Sequence, residues 1–452
     1  MKQPPIEVFL TLSGQNVTVG TYYPHPRGAG TFAYSQEWIA HPEAYPLTPH
    51  LDLREGNQPL TMGPGALPVA FSDSAPDRWG RKVIRKQFAA RGEQPLPTDY
   101  LLSVADKFRM GALRYRVNGE VQAPLSRVPK VIELDALERA AREVDADEDT
   151  ADVLERLVVA GSPLGGARPK ATVVDDRGHT MMAKFAAADD KDIDVSAWEK
   201  VCLDIARLSK ITTPEATLKS INGRNVLLME RFDREYDVDG NETRVPYMSA
   251  MTMLDAADND NDFTMVEVAE AFRVEGGSSA DLAEIFSRTA LNLLVGNTDN
   301  HLRNHGFLYK HEVWQLSPLF DVTPATTKTD FALPVAPGEP DTIDTLLGNA
   351  EWFALDQKEA RTRLATVASA VRQWPALARK NGIPPSQDIY VQPGFEGEHL
   401  ARALTLTHDV ETLEVEDRDT TEGLPRCSRC GRVLRTPEAI ARGMGSTCAS
   451  KQ

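Results

Sequence analysis

The chain contains no run of about 18 consecutive apolar residues, the length a helix needs to cross a bilayer, so no membrane-spanning segment is expected. Met1-Lys-Gln-Pro-Pro5 leads into a short strand-like run without the apolar core of a secretory signal, which points to a cytoplasmic location. Cysteine is scarce: Cys202, Cys427, Cys430 and Cys448 are too few and too clustered for a disulfide framework. Positive charge is in deficit, with 50 Lys and Arg against 66 Asp and Glu and a formal net charge of −16. A surface of that sign repels nucleic-acid backbones, so direct nucleic-acid binding by the body of the chain is not expected. No repeat at solenoid periods is visible. The Gly-rich stretch at 161–171 is not a Walker A loop, because Ala167 stands where that motif requires Lys, and it is not a G-x-G-x-x-G loop. Asp258-Asn-Asp-Asn-Asp262 begins like a calcium loop, but Phe263 and Ala269 occupy the positions that need Gly and Glu, so calcium binding is not expected there.

What is present fits a soluble globular protein of more than one domain: 452 residues, 41% hydrophobic and 26% charged. Residues 5–22 alternate apolar and polar side chains around Ser13-Gly14 and read as a hairpin. A helix is expected over 76–91 with Pro76 in its first turn, followed by a strand at Ala112–Val117. Helical patterning at 132–160 carries an acidic run at Asp145–Asp152, read as a solvated helix end or loop. Strands follow at Ala171–Val174 and Thr180–Phe185, then an amphipathic helix at 195–210. Two more strands are joined by Asn222-Gly223, a strong hairpin signal. From 248 to about 383 the pattern is mostly helical and broken by one hairpin.

The densest chemistry lies in Asn297-Thr-Asp299-Asn-His301-Leu-Arg-Asn304, which follows an apolar helix, and in Phe320-Asp321-Val-Thr-Pro324. A hairpin turning near Lys310–Glu312 returns Asp321 beside Asn304, and Asp299 is five residues before Asn304. A carboxylate, an amide and a second carboxylate that converge suit Mg²⁺, a hard ion with octahedral oxygen ligands. Phosphoryl transfer needs such an ion and a carboxylate that accepts the proton of the attacking hydroxyl. The Asp-to-Asn spacing also matches the kinase pattern H-R-D-x-x-x-x-N. Taken singly, each of these residues is equally a cap or turn residue; the case rests on the three together. His301 is read as a positioning residue or a satisfied buried imidazole. Lys184, on a strand with apolar neighbours, needs an anionic partner, and Glu199 on the following helix is one candidate.

Several of these motifs, in this order, resemble the HipA family of kinases: Gly165-Gly-Ala-Arg-Pro-Lys170-Ala, Lys184-Phe, Met229-Glu-Arg-Phe-Asp-Arg234, Asn297–Asn304 and Asp321-Val-Thr-Pro324. The resemblance covers roughly residues 5–380. It implies an α+β, two-lobed protein-kinase-like fold, with a small N-terminal subdomain (1–125), a β-rich N-lobe (126–240) and a helical C-lobe (241–385). It implies an ATP- and Mg²⁺-dependent kinase of protein serine or threonine, with aminoacyl-tRNA synthetases as targets of the best-known members. It also implies the toxin of a toxin–antitoxin pair, whose partner is a helix-turn-helix DNA-binding protein. By the same resemblance, Lys170 and Lys184 contact the phosphates beside Gly165 and Gly166. Glu230-Arg-Phe232 forms the adenine-side connection, Asp299 is the base with His301 beside it, and Asn304 and Asp321 hold Mg²⁺. Ser162, the hydroxyl in the Gly-rich loop, is the candidate for autophosphorylation, though shifted from the family position. A small-metabolite kinase and a catalytically weak antitoxin-binding module are the competing readings.

Residues 386–425 are acidic, with little helical rhythm in places, and read as a connecting segment. The last 29 residues reverse sign and carry Cys427-x₂-Cys430 and Cys448. Three thiolates in a module with almost no core suit a zinc staple, with His399 or His408, a water or a second chain as the fourth ligand. Reduced thiols on a loose tail are the alternative.

Overall fold

The computed structural model describes residues 3–25, 28–124, 129–146, 168–187, 190, 192–256, 263–324 and 330–419, with side chains in the last helix described to residue 408. Strands β1 (Ile6–Leu12) and β2 (Gln15–His25) pair antiparallel through Ser13 (φ 47°) and Gly14 (φ 79°). Both turn residues are left-handed, as the right-handed strand twist requires of a two-residue hairpin. With β3 (Gly28–Tyr34), β4 (Gln58–Pro59), β5 (Arg114–Val117) and β6 (Glu120–Val121) they build a six-stranded sheet in the order β4-β3-β2-β1-β5-β6. Along β1 the period of two puts Ile6, Val8 and Leu10 into the main core. Phe9 faces the other way, beneath the guanidinium groups of Arg114 and Arg116.

A second sheet contains β7 (Lys170–Val174), β8 (Thr180–Lys184), β9 (Ala216–Ile221) and β10 (Arg224–Glu230), in the order β7-β8-β10-β9. Its two faces serve two cores. Val226 and Leu228 join Trp79 and Val83 of helix Arg78–Ala90 and Leu137 of helix Leu134–Asp145. Leu227 and Met229 share the main core with Trp198, Val201 and Ile205 of helix Val195–Leu208. A two-stranded ribbon, β11 (Arg234–Tyr236) with β12 (Glu242–Arg244), follows. The remaining strands β13 (Tyr247–Ser249), β14 (Gly306–Lys310) and β15 (Val313–Leu316) form a small sheet among the helices Met265–Val274, Ser279–Val295 and Gln357–Val371.

Two expectations change. The helix expected from Pro76 starts at Arg78, because Asp77 is its cap: the carboxylate accepts from Gly80 N at 2.6 Å. Residues 386–425, expected to be a connection, are helical over Asp388–Phe395 and Glu398–Asp419. Among the described side chains of the second helix, Leu400, Ala403 and Thr407 are buried, a stripe one residue wide. Gly394 lies so close to the end of helix Ser279–Val295 that a Cβ there would stand 2.6 Å from the Val295 carbonyl oxygen.

The connection between the lobes is riveted to the N-terminal unit. Arg231 donates to the carbonyls of Phe108 (2.6 Å) and Arg109 (3.1 Å), and Arg234 to those of Lys107 and Arg109. Asp233 accepts from Arg231 (2.6 Å), Arg234 (2.7 Å) and Gly111 N (2.7 Å). Burial raises the Asp233 carboxyl pKa, but the two guanidinium groups outweigh it and hold the group at about 2 instead of 3.8. A carboxyl with a depressed folded pKa contributes stability that is full above its unfolded value. That contribution is therefore expected to fade as pH falls from 3.8 toward about 2. Asp233→Asn leaves two buried guanidinium groups short of an anion and is expected to cost about 3–5 kcal/mol in urea unfolding at neutral pH. A cost below about 1 kcal/mol would show that the network is not needed to hold the two units together.

Candidate nucleotide and phosphotransfer site

Lys184 ends β8, and its Nζ donates to Glu199 Oε1 at 2.6 Å and to Asp321 Oδ1 at 2.8 Å. Glu199 comes from the first turns of helix Val195–Leu208, so this ion pair ties the sheet to the helix packed on it. Burial lowers the lysine pKa, but the two carboxylates outweigh it and hold the ammonium above its usual range, so it stays charged. Burial likewise raises Asp321, yet the charges of Lys184 and then Lys170 outweigh it and bring it down to about 2. Glu199 is pushed up by its burial.

Asp321 reaches Lys184 by way of the expected hairpin. Lys310 pairs with Val313 across His311 (φ 52°) and Glu312 (φ 64°), and Phe307 pairs with Leu316. Ser317 N then bonds Gly306 O at 2.9 Å and Leu319 N bonds Thr212 O at 2.8 Å, and the chain goes on without strand structure to Asp321. Asp321 itself has φ 58°, a left-handed conformation that Asp and Asn tolerate better than most residues.

The preceding loop begins at Gly296, the left-handed residue that ends helix Ser279–Val295. Asn297 is tied to Asn292 Oδ1 (2.9 Å), and Asn300 Oδ1 contacts His305 Nε2 (2.9 Å). Burial, followed by the nearby charges of Arg288 and His301, holds the His305 imidazole near pKa 3, hence neutral. These anchors leave the Asp299 side chain exposed at the loop's tip, while Asn304 is buried. Asn304 Nδ2 donates to the Asp299 carbonyl at 3.2 Å, and its Oδ1 is buried without a hydrogen-bond partner among the described residues. His301 lies close enough to Asp321 to help stabilise its charge, and its Nδ1 is also a buried atom without a partner. A buried amide oxygen that lacks a donor among the described residues, and a carboxylate with a second oxygen, are ligand types that a hard divalent cation takes.

Between the lobes, a cleft is lined by Met182, Met229, Glu230, Phe232, Phe320, Lys184 and Asp321, among others. Phe232 and Phe320 approach to 5.3 Å between ring centroids. The cleft thus runs from an apolar, partly aromatic end to a charged one, as a purine and its phosphates require. Glu230 is half-exposed at its rim, with Arg177 at 3.7 Å.

Lys170 departs from its expected role. It is 2% exposed, does not line the cleft, and pairs with Asp77 of the N-terminal unit at 2.8 Å. Gly165, Gly166, Ser162, the Asp258–Asp262 segment and the three terminal cysteines lie outside the described residues. His399 is half-buried near Phe331, and His408 is exposed. Sequence reasoning missed Asp77, whose cap position offers no hint of Lys170. It also missed the Asn292–Asn297 and Asn300–His305 pairs, whose polar residues at the end of an apolar helix were a usable signal.

The fold is that of a two-lobed kinase, and the buried pair of Lys184 with Glu199 is of the kind protein-kinase nucleotide sites use. Comparison with known families agrees. Residues 10–116 match the HipA N-terminal domain and residues 162–374 the HipA-like C-terminal domain. The chain belongs to the HipA family, a family of serine/threonine protein kinases. Residues 417–452 match a family of unknown function, DUF6011. The solved structure of HipA from Shewanella oneidensis MR-1, in complex with HipB and its operator DNA, covers 88% of this chain and 97% of its own, with a TM-score of 0.61 at 14% identity. The Helicobacter pylori proinflammatory kinase CtkA covers 54% of this chain and 93% of its own, with a TM-score of 0.39 at 14% identity. Y4mE of Sinorhizobium fredii, whose name gives it as a provisional kinase, is 28% identical over 120 residues; the match spans 25% of this chain and 29% of that relative's length.

Proposed function

We propose that the chain transfers the γ-phosphoryl group of ATP to a serine or threonine hydroxyl of a protein. The observation that carries this reading is Lys184, held between Glu199 and Asp321 at the charged end of the cleft, with the orphaned Asn304 Oδ1 nearby. Lys184 meets the phosphates, and Phe232 and Phe320 flank the base. Asn304 and Asp321 would hold Mg²⁺, which neutralises charge on the phosphate oxygens when bound. Asp299, exposed at the loop tip, orients the incoming hydroxyl and takes its proton as the new O–P bond forms and the bond to ADP breaks. An exposed base suits a hydroxyl that arrives on a protein surface.

The wider role follows from likeness. The Shewanella HipA was solved with HipB and operator DNA, and this chain is read as the toxin of a comparable pair. A net charge of −16 fits a basic, helix-turn-helix DNA-binding antitoxin. A translation-related protein, such as an aminoacyl-tRNA synthetase, is the substrate class that the family implies. The test is γ-labelled ATP and Mg²⁺ with cell lysate, followed by phosphoamino-acid analysis. Label in phosphoserine or phosphothreonine of a discrete protein is expected. Label found only in small molecules would replace the reading with a metabolite kinase.

A further inference from the structure

Lys170 and Lys184 are directly opposite each other on β7 and β8. Opposed residues of an antiparallel pair share a face, and like charges there repel. Both ammonium groups are buried, at 2% and 6% exposure, so water does little to screen them. Each has its own acids: Lys184 takes Glu199 and Asp321, and Lys170 takes Asp77 at 2.8 Å. Asp77 belongs to the N-terminal unit, where it caps helix Arg78–Ala90 with both carboxylate contacts inside the protein. Lys170 remains close enough for its charge to help depress Asp321 and to act on Glu199.

We propose that Asp77 is a positioning residue of the phosphotransfer site: by holding Lys170, it leaves Asp321 and Glu199 to Lys184 alone. Without it, the second ammonium competes for the same two carboxylates and draws Asp321 from the place where it would meet the cation. The small N-terminal unit is then part of the nucleotide site and not merely its neighbour. This inference rests on the reading of Lys184 and Asp321 as the phosphate- and cation-binding groups.

Calorimetric titration of the full-length chain with Mg²⁺·ATP tests it, with thermal melting in parallel. Asp77→Asn keeps an oxygen to cap Gly80 N and removes only the charge. It is expected to weaken Mg²⁺·ATP binding by about tenfold or more. The double variant Asp77→Asn/Lys170→Met removes both charges and is expected to bind within about threefold of the wild type, because Lys184 again pairs without competition. Unchanged binding by a folded Asp77→Asn overturns the proposal, as does a double variant no better than the single. If Asp77→Asn does not fold, the double variant decides alone: near wild-type binding supports the proposal, and weak binding marks Lys170 as a phosphate contact and overturns it. Failure of the kinase reading itself looks different, because the wild type then binds no Mg²⁺·ATP at all.

Discussion

Replacing Lys184 by Met is expected to weaken Mg²⁺·ATP binding by about a hundredfold and to destabilise the fold by about 3–5 kcal/mol. Methionine fills the apolar length of the lysine, so the loss reports the charge and not a cavity. The binding term is the charge-assisted hydrogen bond to phosphate, worth about 1.5–3 kcal/mol. The stability term comes from Glu199 and Asp321, which Lys184 bridges at 2.6 and 2.8 Å. With the ammonium gone, buried Glu199 and half-buried Asp321 lose the charge that joins them, which raises the tendency of Glu199 to take a proton. Adding Glu199→Gln is therefore expected to restore much of the stability and none of the nucleotide binding. Calorimetric titration and urea unfolding separate the two effects. An affinity within about threefold of the wild type would remove Lys184 from the phosphate site.

Asp321→Asn is expected to lower the transfer rate by about a thousandfold, the equivalent of the several kcal/mol that a bound metal contributes to charge stabilisation. Asparagine also tolerates the left-handed backbone that Asp321 adopts at φ 58°, so the local backbone is retained. What is lost is the anion that faces Lys184 and, on this account, one of the two oxygen ligands to the cation. The variant's rate is expected to depend on Mg²⁺ concentration well beyond the range that saturates the wild type. A full rate at ordinary Mg²⁺ would place the cation elsewhere.

Much of this site was legible in the sequence because its signals are local. Asn222-Gly223 marks the β9–β10 hairpin, and five-residue spacing ties Asp299 to Asn304 within one loop. The hairpin between Asn304 and Asp321 followed from simple geometry, since its turn falls near the midpoint of that span. The pairing of Lys184 with Glu199 followed from electrostatics, because a buried ammonium demands an anion. Three features were not legible. Asp77 meets Lys170 through the packing of helix Arg78–Ala90 against the second sheet, a tertiary fact with no trace in either segment. Over its described side chains, helix Glu398–Asp419 buries only Leu400, Ala403 and Thr407, a stripe too narrow to show as a helical period in the sequence. The hinge network of Arg231, Asp233 and Arg234 bonds mostly to backbone carbonyls of residues 107–111, and carbonyls are identical in every sequence.

The N-terminal unit is the less expected part of this account. Through Asp77 it touches the sheet that carries Lys184, through residues 108–111 the connection between lobes, and through Asp73, which accepts from Ser249 at 2.7 and 2.8 Å, the helical lobe. Three buried contacts to three parts of a kinase fix the angle between its lobes more firmly than a bare connection would.

The most direct measurement is phosphate transfer from γ-labelled ATP to protein by Asp299→Asn, beside its Mg²⁺·ATP affinity. Asp299 is exposed, and its backbone carbonyl accepts from Asn304, a contact that Asp299→Asn leaves in place, so the variant is expected to bind Mg²⁺·ATP within about threefold of the wild type. Its transfer is expected to fall by about a thousandfold, because no group remains to orient the hydroxyl and take its proton. Normal transfer by this variant would contradict the assignment of the catalytic base, and with it the mechanism proposed for this cleft.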